Sequence, residues 1–225
     1  MLAAGALETP RILKNSGIDG AGKGLTLDVF QATYGYTDDV GMKNEIILAT
    51  YLEKLIDERE LFAAPYMYVP FLIALHSEAK PQVHMSWFNI ARTYVKGMRI
   101  GASKLLGMMT KIRDEPTGEV MSDGTIHKAL TESDKAKLDE ANEINKEILI
   151  AAGAKPKTIF RTDYESGHPA CTAAIGRIVD RNQESEIRGL FVSDASAFPT
   201  PLGMPPILTI VALPKRLAKH LLTKE

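Results

Sequence analysis

The stretch that decides the fold lies near the C-terminus, where residues 168–176 read HPACTAAIG. Residues 189–196 then read GLFVSDAS, an apolar run that predicts a short buried strand ending at Asp194. A loop rich in proline and glycine follows at residues 198–206, FPTPLGMPP, and residues 207–222, ILTIVALPKRLAKHLL, have apolar side chains at helical spacing. This order predicts a site for an anion or cofactor, because the first turn of a helix carries unpaired N–H groups and partial positive charge.

The same stretch resembles the C-terminal signature of the glucose–methanol–choline (GMC) oxidoreductases, which are FAD-dependent alcohol oxidases and dehydrogenases. That signature has a His-Pro block, an apolar strand ending in Asp-x-Ser, a loop with proline and an apolar helix that begins near Thr-Ile. The matching pieces here are His168-Pro169, Asp194-Ala195-Ser196, Phe198-Pro199, Pro205-Pro206 and Thr209-Ile210. Residues 3–18 also resemble the family's Ala-Gly-x-x-x-Thr-Pro-x-x-Leu-x-x-Ser-Gly signature, so two ordered motifs support the resemblance.

The resemblance implies an α+β fold in which an antiparallel sheet packs against helices. Residues 21–163 would form the substrate-binding domain, and the flanking residues 1–20 and 164–225 would belong to an FAD-binding α/β domain. The rest of that domain, with the Gly-x-Gly-x-x-Gly turn that holds the FAD pyrophosphate, would be a missing N-terminal half. We therefore interpret the chain as the C-terminal portion of a larger flavoenzyme, either truncated or split.

The composition excludes several other classes of protein. The chain has 225 residues, 45% of them hydrophobic, and a formal net charge of −1, so nothing points to nucleic acid or to an anionic membrane surface. Cys171 is the only cysteine, which rules out a disulfide within the chain and fits a reducing compartment. No apolar run reaches the roughly 18 residues of a transmembrane helix, and no signal peptide is evident. We expect a cytoplasmic protein.

The remaining patterns predict the elements of the middle of the chain. The first is a helix with Thr9 as N-cap, Pro10 at the first position and Gly17 after the last turn. A strand at residues 25–36, a helix at 83–98, a strand at 105–113 and a hairpin turn at Asp123-Gly124 between Val120 and Ile126 follow. The last is a helix at 131–152 with a Thr131–Asp134 capping box and Gly153 as C-cap. Residues 46–56 fit a strand or a helix. The aromatic-rich residues 61–76 fit a loop and short strand, beside an active-site cavity or over a satellite of the core.

Residues 17–24, GIDGAGKG, come close to a phosphate-binding P-loop. Gly24 stands where that motif needs a magnesium-binding hydroxyl, and a helix rather than a strand precedes the loop. Gly24 also falls one residue too early for a dinucleotide-binding fingerprint. We interpret this segment as a connecting loop.

His168 is the candidate catalytic residue. Oxidation of an alcohol by hydride transfer requires removal of the hydroxyl proton, and imidazole suits this task because its ordinary pKa lies near neutral pH. The resemblance implies that His168 faces the flavin as base or hydrogen-bonding partner; the alternative is a structural histidine. His76, His84, His127 and His220 match no motif of the family, and we interpret them as surface or structural residues.

The resemblance also implies the residues that contact FAD. Asp194 and Ala195, from the Asp-x-Ser block, would lie at the ribityl or pyrophosphate region, although Asp194 also fits a simple turn cap. Pro205, Pro206 and Thr209 would lie beside the flavin pyrimidine. Many family members have a second His or Asn where this chain has Pro205, and proline offers no side-chain donor or acceptor. The catalytic pair is therefore incomplete: either the substrate differs from a simple alcohol, or another group supplies the missing contact. The sequence does not name the alcohol-type substrate.

Two alternatives remain open at this stage. Cys171 is three residues from His168, which allows a Cys-His dyad or, on the simpler interpretation, a small core residue. The chain as a whole is either the substrate half of an FAD-dependent oxidoreductase or a non-catalytic piece that folds, self-associates into a homo-oligomer and binds no flavin. The sequence predicts no metal site.

Overall fold

The computed structural model describes residues 1–67, 95 and 102–223. The chain divides into two compact units: unit 1 consists of Met1–Val29, Arg113–Asp134 and Ser166–Glu225, and unit 2 consists of Phe30–Ile112 and Lys135–Glu165. The predicted assignment of residues 1–20 and 164–225 to a flavin-binding domain, and of residues 21–163 to a substrate-binding domain, stays a prediction.

Short strands and helices are interspersed along the described residues. In chain order they are α1 (Gly5–Asn15), β1 (Lys23–Leu25), β2 (Phe30–Tyr36), α2 (Glu53–Arg59), β3 (Leu61–Pro65), β4 (Leu105–Ile112), β5 (Gly118–Val120), β6 (Ile126–His127), α3 (Glu132–Ala151), β7 (Phe160–Arg161) and α4 (Ile207–Leu222), with single 3₁₀ turns at Ala102–Lys104, Pro156–Thr158 and Ala195–Ala197.

Unit 2 is built on a four-stranded antiparallel sheet with the strand order β3-β4-β2-β7. β2 and β4 pair along their length, from Phe30 opposite Lys111 to Tyr36 opposite Leu105. Every residue of β4 is buried, so this central strand is covered on both faces. A hydrophobic cluster between the sheet and α3 contains the buried side chains of Ala63, Leu106, Met108, Leu149 and Ala154.

The face of α3 that meets the sheet carries amides as well as hydrocarbon. The buried Asn142 amide accepts a hydrogen bond from the Thr33 hydroxyl at 2.9 Å and donates one to the Gln31 side-chain oxygen at 2.5 Å. One turn further on, the buried Asn145 donates to the Thr110 hydroxyl at 2.8 Å. These bonds pair polar groups that are costly to bury alone.

Unit 1 combines a three-stranded antiparallel sheet, with the order β1-β5-β6, and the helices α1 and α4. α1 contributes Leu13 to a buried cluster that includes Ile18, Val192 and Ala197. α4 runs through Pro214 and buries Leu217, which is 2% exposed. Its first turns are open, since Leu208 is 85% exposed.

Several predictions are confirmed, beginning with the antiparallel α+β class. β4, the β5–β6 hairpin and α4 form where the sequence placed them. At the start of α3, the Asp134 backbone N–H donates to the Thr131 hydroxyl at 3.0 Å, and the Thr131 N–H donates to the Asp134 carboxylate at 3.1 Å, which is the predicted capping box. Gly17 and Gly153 follow their helices with φ of 92° and 97°, as expected of glycine at a helix end.

Three predictions about local structure are wrong. Residues 189–196 form no strand, because Phe191 and Val192 make only isolated bridges to different partners before a 3₁₀ turn begins. Thr9 is not an N-cap, since α1 begins at Gly5, whose N–H donates to the distant Asp194 carboxylate instead. The strand predicted at residues 25–36 is two strands, because the backbone turns into the left-handed region at Asp28, with φ of 55°.

Other predictions fall partly or wholly outside the described residues. The helix predicted at residues 83–98 lies outside them except for Val95, which is helical. The ambiguous residues 46–56 are irregular up to α2, and the aromatic-rich stretch is described only as far as residue 67, where it contains β3. Within the described ranges, no helix is both long enough and apolar enough to cross a bilayer.

Candidate functional site

All of the predicted site residues lie in unit 1. His168 is carried by an extended segment that pairs with residues 26–27. The Thr26 and Ala170 backbones exchange hydrogen bonds of 3.1 and 2.9 Å, and the His168 N–H donates to the Leu27 carbonyl at 3.2 Å. The His168 side chain is 36% exposed, so it is held by its backbone while its ring remains accessible.

The His168 ring is paired with a buried carboxylate that sequence reasoning missed. Nδ1 of His168 lies 2.6 Å from Oδ2 of Asp28, whose side chain is only 7% exposed. Asp28 adopts a left-handed backbone conformation, which aspartate tolerates better than most residues. An acidic residue inside an otherwise apolar run was the one signal in the sequence, but its partner is 140 residues away.

A second buried carboxylate fixes the backbone at Asp28. Asp114 is completely buried and accepts hydrogen bonds from the N–H groups of Leu27, at 3.0 Å, and Asp28, at 2.8 Å. Its charge is balanced by Lys128, whose Nζ lies 2.7 Å from Oδ2 of Asp114 and whose side chain is 5% exposed. Lys128 also donates to the Glu115 carbonyl. A continuous chain of polar contacts thus runs from Lys128 to His168.

A small pocket, with enclosed room for about one water molecule, lies beside His168. One side carries the polar groups of Asp28, His168 and Thr26, and the other is formed by the loop that leads into α4. The apolar residues of its lining are Ala170, Phe198, Pro201, Leu202, Met204 and Pro206. The structure therefore brings the His-Pro block and the last loop together.

The start of α4 supplies backbone donors next to this pocket. Pro206, which is buried and lines the pocket, precedes the helix, and the first intrahelical bond runs from the Ile210 N–H to the Pro206 carbonyl at 2.9 Å. The N–H groups of residues 207–209 therefore have no acceptor within the helix. Pro205 is exposed and Thr209 is half-buried, and neither is among the described residues of the pocket lining.

Asp194 lies at a junction within unit 1. One carboxylate oxygen accepts from the Gly5 N–H at 2.9 Å and the Thr9 hydroxyl at 2.6 Å. The other accepts from the Ser196 N–H at 2.8 Å and the Ser196 hydroxyl at 2.5 Å. Asp194 thus caps both α1 and the turn that contains Ala195, which gives it a structural role; contacts of Asp194 and Ala195 with FAD stay a prediction.

Cys171 has the environment of a buried core residue. It is 1% exposed, and the Thr26 hydroxyl donates to its sulfur at 3.4 Å. Burial raises the pKa of the Cys171 thiol, which disfavours the thiolate that a Cys-His dyad would need. Nδ1 of His168 faces Asp28 instead.

Solved structures with a similar fold include two oxidases. Pyridoxine 4-oxidase from Mesorbium loti superposes with a TM-score of 0.63 at 15% identity, covering 97% of this chain and 50% of that one. A variant of formate oxidase from Aspergillus oryzae superposes with a TM-score of 0.67 at 12% identity, covering 100% of this chain and 54% of that one. At these identities the likeness establishes the fold, which is the fold found in these oxidases.

Sequence comparison identifies the family. A family model described as GMC oxidoreductase matches residues 73–213, which is more than half of the chain. The chain therefore belongs to the GMC oxidoreductase family and matches its C-terminal portion, as the motifs predicted.

Two relatives align over nearly the whole chain. An uncharacterised protein of Methanocaldococcus jannaschii is 30% identical over 224 residues, covering 99% of this chain and 52% of that protein. A long-chain-alcohol oxidase of Arabidopsis thaliana is 25% identical over 282 residues, covering 98% of this chain and 36% of the oxidase. The chain thus spans about half the length of the first relative and about a third of the second.

Proposed function

We propose that this protein is the substrate-binding and C-terminal part of an FAD-dependent oxidoreductase that oxidises a CH–OH group, with His168 as the base. The observation that carries the proposal is the pocket in which His168 faces the loop leading into α4. Membership of the GMC oxidoreductase family supports the oxidoreductase class.

The donor set beside the pocket fits the isoalloxazine end of FAD. Apolar walls, among them Phe198 and Met204, suit a flat and largely apolar ring. The unpaired N–H groups at the start of α4 suit a carbonyl oxygen that gains negative charge, in the way an oxyanion hole does. When bound, FAD supplies the hydride acceptor. The side chains of Pro205 and Pro206 offer no polar contact, so the backbone after them would hold this edge of the ring.

His168 would take the proton from the substrate hydroxyl. The ring is accessible from the pocket, and its Nδ1 is directed at Asp28, which would leave Nε2 to accept the proton. The O–H proton of the substrate would pass to Nε2 of His168 as the alcohol becomes a carbonyl, and FAD would supply the acceptor for the hydride that leaves the carbon. A positioned base of this kind contributes about 10²–10⁴-fold to the rate.

The lining of the pocket favours an uncharged, alcohol-type substrate. Its described walls are apolar apart from Thr26, Asp28 and His168, and the carboxylate of Asp28 already faces the imidazole. An ionic substrate would have no complementary charge among these residues and would lose solvation on entry. One of the relatives is named a long-chain-alcohol oxidase, and a long-chain alcohol is an uncharged substrate of this kind.

The test is His168→Ala in the complete, flavin-loaded enzyme. We expect kcat to fall by roughly 10²–10⁴ while the flavin content stays near normal. His127→Ala is a matched control, because His127 lies exposed in β6, and we expect it to leave kcat unchanged. A His168→Ala enzyme with normal turnover would remove His168 from the mechanism.

We also propose that this chain on its own holds no FAD and associates with further copies of itself. Its 225 residues contain no Gly-x-Gly-x-x-Gly fingerprint, and each lost charge-assisted phosphate contact removes about 1.5–3 kcal/mol of binding energy. The exposed apolar residues Ile207 and Leu208 of α4 favour association, because water is unfavourable around such a patch. A purified chain that shows stoichiometric flavin absorbance, or sediments as a monomer at micromolar concentration, would contradict the respective half of this proposal.

A further inference from the structure

We infer that Asp28 is a positioning residue that fixes the tautomer of His168, and that the buried Asp114–Lys128 ion pair holds Asp28 in the conformation this requires. The inference rests on the proposed role of His168 as the base. It concerns three residues that match none of the family motifs in the sequence.

The contact between Asp28 and His168 selects one tautomer. A carboxylate is an acceptor, so Oδ2 of Asp28 at 2.6 Å favours a proton on Nδ1 of the neutral ring. The lone pair of the ring then lies on Nε2, which is the atom that has to accept the substrate proton. With the proton on Nε2 instead, the ring would turn a donor toward the substrate and could not act as its base.

The backbone at Asp28 has to be held in place from outside. With φ of 55°, Asp28 lies in the left-handed region, which is unfavourable for an ordinary L-residue. Asp114 compensates by accepting the N–H groups of both Leu27 and Asp28. A turned backbone here directs the Asp28 side chain at His168, whereas a continuous strand would have carried it elsewhere.

Lys128 makes this arrangement possible electrostatically. Asp114 is completely buried, and a buried charge is costly unless an opposite charge lies close to it. Lys128 provides that charge at 2.7 Å and is itself 5% exposed. The contacts therefore form a sequence in which Lys128 pairs with Asp114 and Asp114 sets the backbone of Asp28. Asp28 in turn sets the ring of His168.

The tautomer can be observed directly by ¹⁵N NMR of the imidazole in the full chain, recorded on the alkaline plateau of the ring ¹⁵N shifts. We expect wild type to show the proton on Nδ1. The Asp28→Asn variant keeps a side chain that tolerates the left-handed backbone, but its amide can also donate to Nδ1, so we expect the Nδ1–H preference to be lost. A wild-type ring protonated on Nε2, or an unchanged tautomer in Asp28→Asn, would overturn the inference.

The supporting ion pair is tested by amide hydrogen exchange. In Lys128→Met we expect the Leu27 and Asp28 amides to exchange at least tenfold faster and the tautomer preference of His168 to weaken. Lys14→Met is the matched control, because it removes a different ion pair in unit 1, between Lys14 and Glu119 at 2.9 Å, and should change neither readout. Unchanged exchange in Lys128→Met would overturn the role of the pair.

Turnover separates this inference from the proposed function. In the flavin-loaded enzyme, Asp28→Asn should lower kcat steeply with little change in KM; the corresponding exchange in a serine-protease triad lowers kcat about 10⁴-fold while leaving the geometry intact. If His168→Ala turns over normally, His168 is not the base and the proposed function fails. The NMR measurement on the chain still decides whether Asp28 fixes the tautomer of His168. If His168→Ala is inactive and Asp28→Asn is fully active, only the positioning role fails.

Discussion

Removing Lys128 should be among the most destabilising single changes in unit 1. Lys128 and Asp114 form an ion pair whose side chains are 5% and 0% exposed, at a separation of 2.7 Å. Lys128→Met replaces the ammonium by a chain of similar length and leaves the Asp114 carboxylate buried without its counter-charge. Breaking a buried pair in this way costs about 3–5 kcal/mol of unfolding free energy. For a chain of this size that is a fall in Tm of roughly 6–20 °C, at about 2–4 °C per kcal/mol.

Urea unfolding followed by circular dichroism measures the loss, with Lys14→Met as the comparison. Lys14 is paired with Glu119, whose side chain is 31% exposed, so its contribution should be at most about 1 kcal/mol. The double variant Asp114→Asn with Lys128→Met removes both charges and should recover part of the loss. If Lys128→Met costs no more than Lys14→Met, or if the double variant is worse than the sum of its parts, the reasoning about the buried charge is wrong.

The other predictions concern packing, the thiol and the proline before α4. Leu217→Ala should cost about 2–5 kcal/mol in thermal or urea unfolding because Leu217 is 2% exposed, whereas Leu208→Ala, at an 85% exposed site on the same helix, should stay within about 0.5 kcal/mol. Because burial raises the pKa of the Cys171 thiol, the stability contributed by its protonated form should be complete below about pH 8.5 and should decline at higher pH. A thiol reagent should also label the folded chain slowly, and rapid stoichiometric labelling would contradict this prediction. Pro205→Ala should change turnover of the complete enzyme little, while Pro205→Asn, which supplies a side-chain donor and acceptor, should alter the rate with alcohols; loss of activity in Pro205→Ala with flavin still bound would mean that the proline has a role of its own.

Local signals in the sequence predicted local structure well. The capping box of α3 depends on Thr131 and Asp134, three residues apart, and it forms as predicted. The hairpin between Val120 and Ile126 depends on a two-residue turn signal at Asp123-Gly124. In both cases the residues that decide the geometry are neighbours in the chain, so composition and spacing carry the information.

Two of the three failures have a common physical cause, which is a long-range carboxylate contact that overrides the local pattern. α1 begins at Gly5 rather than at Thr9 because Asp194, 189 residues further along the chain, accepts the Gly5 N–H. The apolar run that begins at Leu25 breaks at Asp28 because Asp114 accepts two N–H groups there. The motifs located His168, but its partner Asp28 became visible only when the fold brought the two together.

The hydrogen bonds that Asn142 and Asn145 of α3 form with the sheet of unit 2, here called the amide seam, limit how this unit can evolve. A purely hydrocarbon interface lets a helix rotate or slide by small amounts, because dispersion contacts are not directional. Asn142 and Asn145 instead form hydrogen bonds with specific hydroxyl and amide groups on β2 and β4. A rotated helix would therefore leave several buried polar groups without hydrogen-bond partners. Substitutions at this seam should therefore be accepted in compensating pairs, such as Asn142 together with Gln31, and rarely one at a time.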